Sequence, residues 1–214
     1  MRLESNRDGT EKVWLTRPEY STLLEHAPGA QTRLAIRYGG EVGLRVSEIA
    51  SVTPGAHTES AVNIGSVPGA ENERDTVKVT WLAVHGKDTS GDTDGKRRDA
   101  LVPDDLATQS RLYQLEHNID DDEPLFDVTP RTVRNWITDA AAAAAAATGK
   151  EDFRSVSSHD LRRYCATRLL QVHGMNPEVV MTVGGWDSYQ ALRPYLQSPV
   201  EEVIAAEYAA HDLL

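Results

Sequence analysis

Four side chains of this sequence could together transfer a phosphoryl group to a tyrosine. His159 and Arg162 are three residues apart, so a helix would place both on one face, about one turn apart, within reach of one phosphate. Tyr195 lies downstream and carries a hydroxyl that could attack that phosphate, and Arg45 lies far upstream. Two guanidiniums, an imidazole and a phenol are the groups that metal-free phosphoryl transfer to a tyrosine needs.

Each group has a task in such a reaction. Attack on a phosphodiester builds negative charge on the non-bridging oxygens, and guanidiniums stabilise it through bidentate hydrogen bonds that a lysine cannot match. The phenol is a weak nucleophile at its ordinary pKa and needs neighbouring cations or a base, while His159 can supply hydrogen bonding or proton transfer. Each residue alone has an ordinary structural explanation, but the combination favours this chemistry. The acidic run at 120–123 is explained as solvated surface, so we expect neither a metal nor a cofactor.

Four segments of the chain resemble the tyrosine recombinases, the phage-integrase and Xer-type family, and they occur in the family's order. The segment from His159 to Leu170 is similar to the family's His-x-x-Arg helix over its whole length. The resemblance covers about residues 14–212. The other three segments are Gly43–Ile49 for the first arginine motif, the stretch containing Lys87 and Lys96 for a β-hairpin with a catalytic lysine, and Gly184–Tyr195 for the closing segment.

The resemblance implies a role for each site residue. Tyr195 would be the nucleophile and a hairpin lysine the general acid for the leaving 5′-oxygen, with Lys87 preferred because it directly follows the strand and Lys96 as the alternative. Trp186 stands where most members have histidine, and its indole N–H can still donate to a phosphate oxygen. The full set expected to act on the phosphate is Arg45, Lys87, His159, Arg162, Trp186 and Tyr195.

The fold class that the sequence predicts is mostly α (α+β), a helical catalytic domain with a small antiparallel sheet. The apolar spacing and capping signals predict helices from about residue 16 to 28, at 32–38, just after Arg45, and at 105–117, 129–149, 158–172, 177–184 and 199–212. Alternating β-branched residues predict strands at 76–84 and 99–103, while 53–75 is expected to be a loop. Asp104 or Asp105 is expected to cap the helix at 105–117.

The domain organisation follows from the same resemblance. Residues 1–13 are expected to be a leader or a linker remnant and 14–214 the catalytic domain, without the helical DNA-binding domain that family members usually carry at their N-terminus. The chain would then be a fragment or a naturally short recombinase. The amphipathic tail at 199–212 resembles tails that dock on a neighbouring protomer, with packing on its own domain as the alternative.

The net charge of −11 is unusual for a protein that binds DNA, because phosphate contacts favour a basic face. Either the chain does not bind DNA or its surface is adapted to high salt, and we favour the second explanation, with a haloarchaeon or its virus or plasmid as the source. Arginine accounts for 17 of the 22 basic residues. The single cysteine, Cys165, excludes an internal disulfide, and no signal or membrane segment is evident, which predicts a cytoplasmic protein.

These observations predict a site-specific DNA recombinase or integrase that cuts and rejoins duplex DNA through a 3′-phosphotyrosyl intermediate, without metal or ATP. Its expected partners are a specific duplex site and further copies of the chain in a synaptic tetramer, assembled through the C-terminal helix. Two alternatives remain open at this stage. One is a type IB topoisomerase, which uses similar chemistry without partner strands, and the other is a non-catalytic DNA-binding regulator with the same fold.

Overall fold

The computed structural model of the chain describes residues 1–5, 11–65, 76–86, 97–196 and 199–211. The chain forms two compact units. One consists of Met1–Ala50 with Val128–Leu214, and the other of Ser51–Asp127. Both candidate lysines, Lys87 and Lys96, lie outside the described residues.

The unit Ser51–Asp127 is a small sheet with one helix. Three antiparallel strands, β3 (His57–Asn63), β4 (Thr76–His85) and β5 (Arg97–Val102), are hydrogen-bonded in that order. β5 leads directly into α4 (Asp104–His117), which packs against β4. The core of this unit is formed by buried apolar side chains from the sheet, the helix and the segment that follows: Leu82, Val84, Ala100, Val102, Leu106, Leu125 and Phe126.

The other unit is helical apart from one N-terminal hairpin. Strands β1 (Arg2–Ser5) and β2 (Glu11–Trp14) pair antiparallel, with Leu3 opposite Val13. Its helices are α1 (Arg17–Glu25), α2 (Gly29–Gly40), α3 (Val46–Ala50), α5 (Pro130–Thr148), α6 (Ser158–Thr167), α7 (Pro177–Gly184), α8 (Tyr189–Leu196) and α9 (Glu201–Ala210).

Helix α6 is the centre of this unit. All eight residues from Asp160 to Thr167 are buried, and the helix packs against α2, β2 and α8. A π-helical turn, Arg168–Val172, continues it. Because a helix buried on every side cannot present its side chains freely to solvent, its one accessible end is the N-terminal turn.

The alanine-rich helix α5 supports this core from the other side. Thr129 caps its N-terminus by accepting a hydrogen bond from the Thr132 N–H, and Gly149 ends it in the left-handed conformation. Four of its alanines, Ala140, Ala141, Ala144 and Ala145, are fully buried. Small side chains at this spacing form one face that lets α5 lie close to α1, α2 and α3.

The fold class predicted from the sequence is confirmed: the chain is mostly helical with a small antiparallel sheet. Two local expectations are wrong: the segment expected to be a loop contains strand β3, and the N-cap of α4 is Pro103 rather than Asp104 or Asp105. The helix predicted at 158–172 has the predicted bounds, as α-helix to Thr167 and as the π-helical turn beyond it. Residues 1–13, expected to be a leader or a linker remnant, contain strand β1 and most of strand β2.

Among the residues that the structure describes, no helix is long and apolar enough to cross a membrane. Within the same residues, no three His, Cys, Asp or Glu side chains are grouped as a metal ion would require.

Candidate active site

The first turn of α6 presents two of the predicted site residues. Ser157 and Asp160 form a capping box, in which the Asp160 carboxylate accepts from the Ser157 N–H at 2.9 Å and the Ser157 side chain satisfies the N3 backbone. Ser157 is therefore the N-cap residue, and the helix begins at Ser158. As a result His159 lies exposed at the helix N-terminus, while Arg162, one turn later, is buried.

Arg162 is held by a glycine turn and an indole ring. Its Nη1 donates to the carbonyl of Gly43, and its guanidinium carbon lies 3.9 Å from the centroid of the Trp186 ring. Gly43 has φ +77°, a conformation that favours glycine, and a Cβ there would lie 3.1 Å from the Cys165 sulfur. The turn that precedes Arg45 therefore also anchors Arg162.

Arg45 is held by a carboxylate and a second glycine carbonyl. The Glu48 carboxylate accepts from the Arg45 backbone N–H at 2.7 Å and from its Nη1 at 2.9 Å. Nη2 of Arg45 donates to the Gly185 carbonyl at 3.2 Å. Glu48 is buried, whereas 43% of the Arg45 side chain is exposed. Charge-assisted bonds of this kind fix the guanidinium while leaving part of it open to a ligand.

Trp186 connects the two arginines. It follows Gly185, whose carbonyl binds Arg45, and its ring stacks on Arg162. The ring also lies directly against Gly184, where a Cβ would come within 1.8 Å of a ring carbon. Only a glycine at 184 leaves room for this position of the indole. The arginine motif, the α6 motif and the closing segment are thus joined by contacts among five residues.

Tyr195 lies in an aromatic cluster with Trp14 and Trp186. Its ring is 7% exposed and makes edge-to-face contacts with Trp186, at 5.9 Å between centroids, and with Trp14, at 6.3 Å. Gln171 donates to its backbone carbonyl. No residue in the described part of the chain hydrogen-bonds to the Tyr195 hydroxyl. Packing alone therefore fixes this ring.

The surroundings of His159 lower the pKa of its imidazole. Desolvation lowers the pKa of the imidazole, and the positive charges of Arg163, Arg162 and Arg45 lower it further, while Asp160 opposes them. A site with several fixed cations favours a neutral imidazole and a negatively charged ligand.

Five of the six predicted site residues are described, and they fall into two groups. In the first group, Arg45 binds the Gly185 carbonyl next to Trp186, and the Trp186 ring stacks on Arg162. The positive charges of both arginines lower the pKa of His159. Tyr195 contacts this group through the Trp186 ring. The sixth, Lys87, and its alternative Lys96 lie outside the described residues.

Two residues that the sequence analysis did not single out contribute to this site. Glu48 follows Arg45 by three residues, a spacing that could have indicated an ion pair within one helical turn. Trp14 carried no such signal, because its contact with Tyr195 spans nearly the whole chain.

Comparison with known protein families gives one match. The profile described as "Phage integrase family" matches residues 76–202. The matched stretch contains His159, Arg162, Trp186 and Tyr195, whereas Arg45 precedes it. No curated protein matches the sequence significantly.

Solved structures with the same fold include three DNA-rearranging proteins. XerA recombinase is 18% identical, with a TM-score of 0.65 over 93% of this chain and 65% of that one. XerH recombinase bound to its palindromic difH substrate is 16% identical, with a TM-score of 0.62 over 91% and 52%. The Tn1549 transposon integrase in complex with transposon right end DNA is 16% identical, with a TM-score of 0.63 over 92% and 65%. The chain thus spans between half and two thirds of the length of these relatives.

Proposed function

We propose a function from the premise that this chain belongs to the phage integrase family, the tyrosine recombinases. It is the catalytic part of a site-specific recombinase that cuts and rejoins duplex DNA through a 3′-phosphotyrosyl intermediate. The observation that carries the proposal is the interlocked pair of arginines: Arg45 is bound to the Gly185 carbonyl and Arg162 to the Gly43 carbonyl. Two guanidiniums that are held in place before the substrate binds are well suited to binding a phosphodiester.

The arginines stabilise the charge that develops during the reaction. As the phosphorus becomes five-coordinate, its non-bridging oxygens gain negative charge, and preorganised donors lower that energy most. Arg162 supplies a buried guanidinium and Arg45 a partly exposed one. His159 at the N-terminus of α6 and the indole N–H of Trp186 are the further donors that we assign to the phosphate.

Tyr195 is the nucleophile in this proposal. Its phenolic oxygen forms the new bond to phosphorus as the bond from phosphorus to the 5′-oxygen breaks, and the phenolic proton passes to a base or to solvent. The leaving 5′-oxygen receives a proton from a lysine of the segment between β4 and β5, with Lys87 preferred and Lys96 as the alternative. Rejoining reverses these steps, so the bond energy is conserved and no ATP is needed.

The partners that we propose are a duplex recombination site and further copies of the chain. XerH and the Tn1549 integrase are solved with such DNA. Helix α9 has no buried residue and exposes Ile204 and Tyr208, which supports docking of this tail on a neighbouring copy in a synaptic tetramer. We propose that residues 14–214 form the catalytic domain and that the tail at 199–212 belongs to it.

We also propose that the protein works in the cytoplasm of a halophilic archaeon, or for a virus or plasmid of such a host. The support is compositional: 33 acidic residues against 22 basic ones, and few lysines. At high ionic strength the repulsion between an acidic surface and DNA is screened over a few ångströms, while hydrogen-bonded contacts at the site persist.

The test is covalent capture of DNA by Tyr195. The protein is incubated at molar salt with a pool of nicked duplexes whose central sequence is randomised. The nick prevents a cleaved strand from being rejoined. We expect a denaturant-resistant adduct, a nucleotide-bearing peptide containing Tyr195 in mass spectrometry, and no adduct with Tyr195→Phe.

Tyr189→Phe is the matched control, because Tyr189 is exposed on the same helix, α8. It should form the adduct at the wild-type rate. An adduct that persists in Tyr195→Phe would overturn the assignment of the nucleophile. Sequence-specific DNA binding with no adduct in any variant would instead indicate the regulator, and relaxation of plasmids by single protomers would indicate a topoisomerase.

A further inference from the structure

We propose that Trp14, at the end of the N-terminal hairpin, is a positioning residue that holds Tyr195 in a buried resting position. This inference rests on the proposed function, in which Tyr195 is the nucleophile. In this proposal the hairpin controls when the Tyr195 phenol becomes available, and the hairpin must be displaced before DNA is cleaved.

The two tryptophans beside Tyr195 differ in what holds them. Trp186 is fixed by the Arg162 guanidinium and by the space above Gly184, so it belongs to the cation site. Trp14 comes from strand β2 and meets the Tyr195 ring edge to face, with 65° between the planes. Trp14 itself is 4% exposed. Removing Trp14 would therefore uncover the tyrosine and leave the contacts of Arg45 and Arg162 in place.

The hairpin is fastened to the helix that carries the catalytic motif. The Val13 N–H donates to the Asp160 carboxylate at 2.9 Å, and Arg163 donates to the Val13 carbonyl at 3.3 Å. Asp160 and Arg163 also form a buried ion pair. These contacts fix strand β2 on α6 in the position in which Trp14 covers Tyr195.

A second fastening joins the hairpin to the chain just after Tyr195. The Arg2 guanidinium lies over the Trp14 ring at 4.7 Å and donates to the Pro199 carbonyl at 3.4 Å. Arg2 is exposed, and its bond to the carbonyl is long. This contact is thus the weaker of the two fastenings and the one that a bound polyanion competes with, since phosphates attract guanidiniums.

The resting position lacks the contacts that attack would need. Within the described chain, the Tyr195 hydroxyl has no hydrogen bond to Arg45, His159 or Arg162, although those residues would bind the phosphate. Edge-to-face ring contacts and burial stabilise this position, and loss of one aromatic pair changes such an equilibrium by about two- to tenfold. Trp14 thereby acts on the reaction through Tyr195 and not on the phosphate.

Nitration of tyrosines by tetranitromethane, without DNA, tests the position of Tyr195 directly. Peptide mass spectrometry follows Tyr195 against two internal references, Tyr189 at 56% and Tyr208 at 51% exposure. In the wild type we expect Tyr195 to react far more slowly than both. Trp14→Ala should raise its relative rate about two- to tenfold, and Trp14→Phe, which keeps a ring, should restore most of the protection.

Covalent capture of nicked DNA supplies the second readout. Trp14→Ala should raise the first-turnover rate of adduct formation by a similar factor with unchanged DNA affinity. Trp81→Ala, in the Ser51–Asp127 unit, should leave the nitration rate of Tyr195 unchanged. Arg2→Ala is the milder variant if Trp14→Ala does not fold. Unchanged protection of Tyr195 in the folded variants, or a slower adduct, would overturn the proposal. Absence of adducts in all proteins would instead refute the recombinase function, and nitration would still decide the role of Trp14.

Discussion

The two halves of the candidate site are built in different ways. The cation half is held by hydrogen bonds and charge: each arginine binds a glycine carbonyl, and Glu48 orients Arg45 through two further bonds. The tyrosine half is held by rings. Tyr195 contacts two indoles, and outside its own helix Gln171 donates a hydrogen bond to its backbone carbonyl.

This difference separates what must be fixed before the reaction from what must move. Directional bonds lower the cost of reorganisation when charge develops, so the groups that we propose stabilise the phosphate gain from being held rigidly. Ring packing is less directional and is more easily exchanged for another arrangement. A nucleophile held only by packing can be stored in one position and used in another.

The largest loss should come from the cation half, with Arg162→Lys. A lysine cannot make the forked bonds of the guanidinium or stack on Trp186 in the same way. We expect adduct formation at saturating DNA to fall on the order of 10²–10³-fold, the range for removal of one preorganised donor.

Arg193→Lys is the matched control for that variant, since Arg193 is an exposed arginine on α8. It should react within about twofold of the wild type. Adduct formation by Arg162→Lys within tenfold of the wild type would show that Arg162 stabilises the fold and not the reaction.

A smaller loss is expected for Glu48→Gln, which weakens the orientation of Arg45 without removing the guanidinium. A hydrogen bond to a charged group is worth about 1.5–3 kcal/mol, so adduct formation should fall about ten- to a hundredfold. The rate at saturating DNA is compared with that of Ser47→Ala, an exposed neighbour on α3. An equal fall in both variants, or none in Glu48→Gln, would contradict the positioning role of Glu48.

The fold was predictable where the chain carries local signals. Thr16 and Thr129 precede prolines at helix starts, and both helices begin there. Strand β3 was not predictable in this way, because His57–Asn63 has only two apolar side chains and is ordered by its pairing with β4. Helix α8 contains Pro194, and a proline inside a segment argues against a helix there.

The site was predictable in its residue types but not in its conformation. The spacing of His159 and Arg162 follows from helical geometry, which any α-helix imposes. The contact of Tyr195 with Trp14 and the bond of Arg162 to the turn at Gly43 both join residues more than a hundred positions apart. No local pattern records such a pairing, so the sequence does not predict that strands β1 and β2 pair and contact α6.

The smallest expected effect concerns His159, whose titration responds to its burial and to the charge of the cation half. Its pKa lies below the ordinary value of about 6.5, because desolvation and neighbouring arginines disfavour the imidazolium. The imidazole NMR signals of the free protein should therefore titrate below pH 6.5, and Arg45→Ala should raise the midpoint by removing one positive charge. Arg193→Ala should leave the midpoint unchanged.

The same shift has a defined effect on stability. The unfolded chain binds the proton more readily, so the contribution of His159 to folding is complete above about pH 6.5 and is lost as the pH falls through the lower, folded-state pKa. In His159→Gln this part of the acid dependence of Tm should disappear. A midpoint above 6.5 in the free protein would mean that an anion or a carboxylate offsets the arginines, and that the cation half is not an open phosphate site.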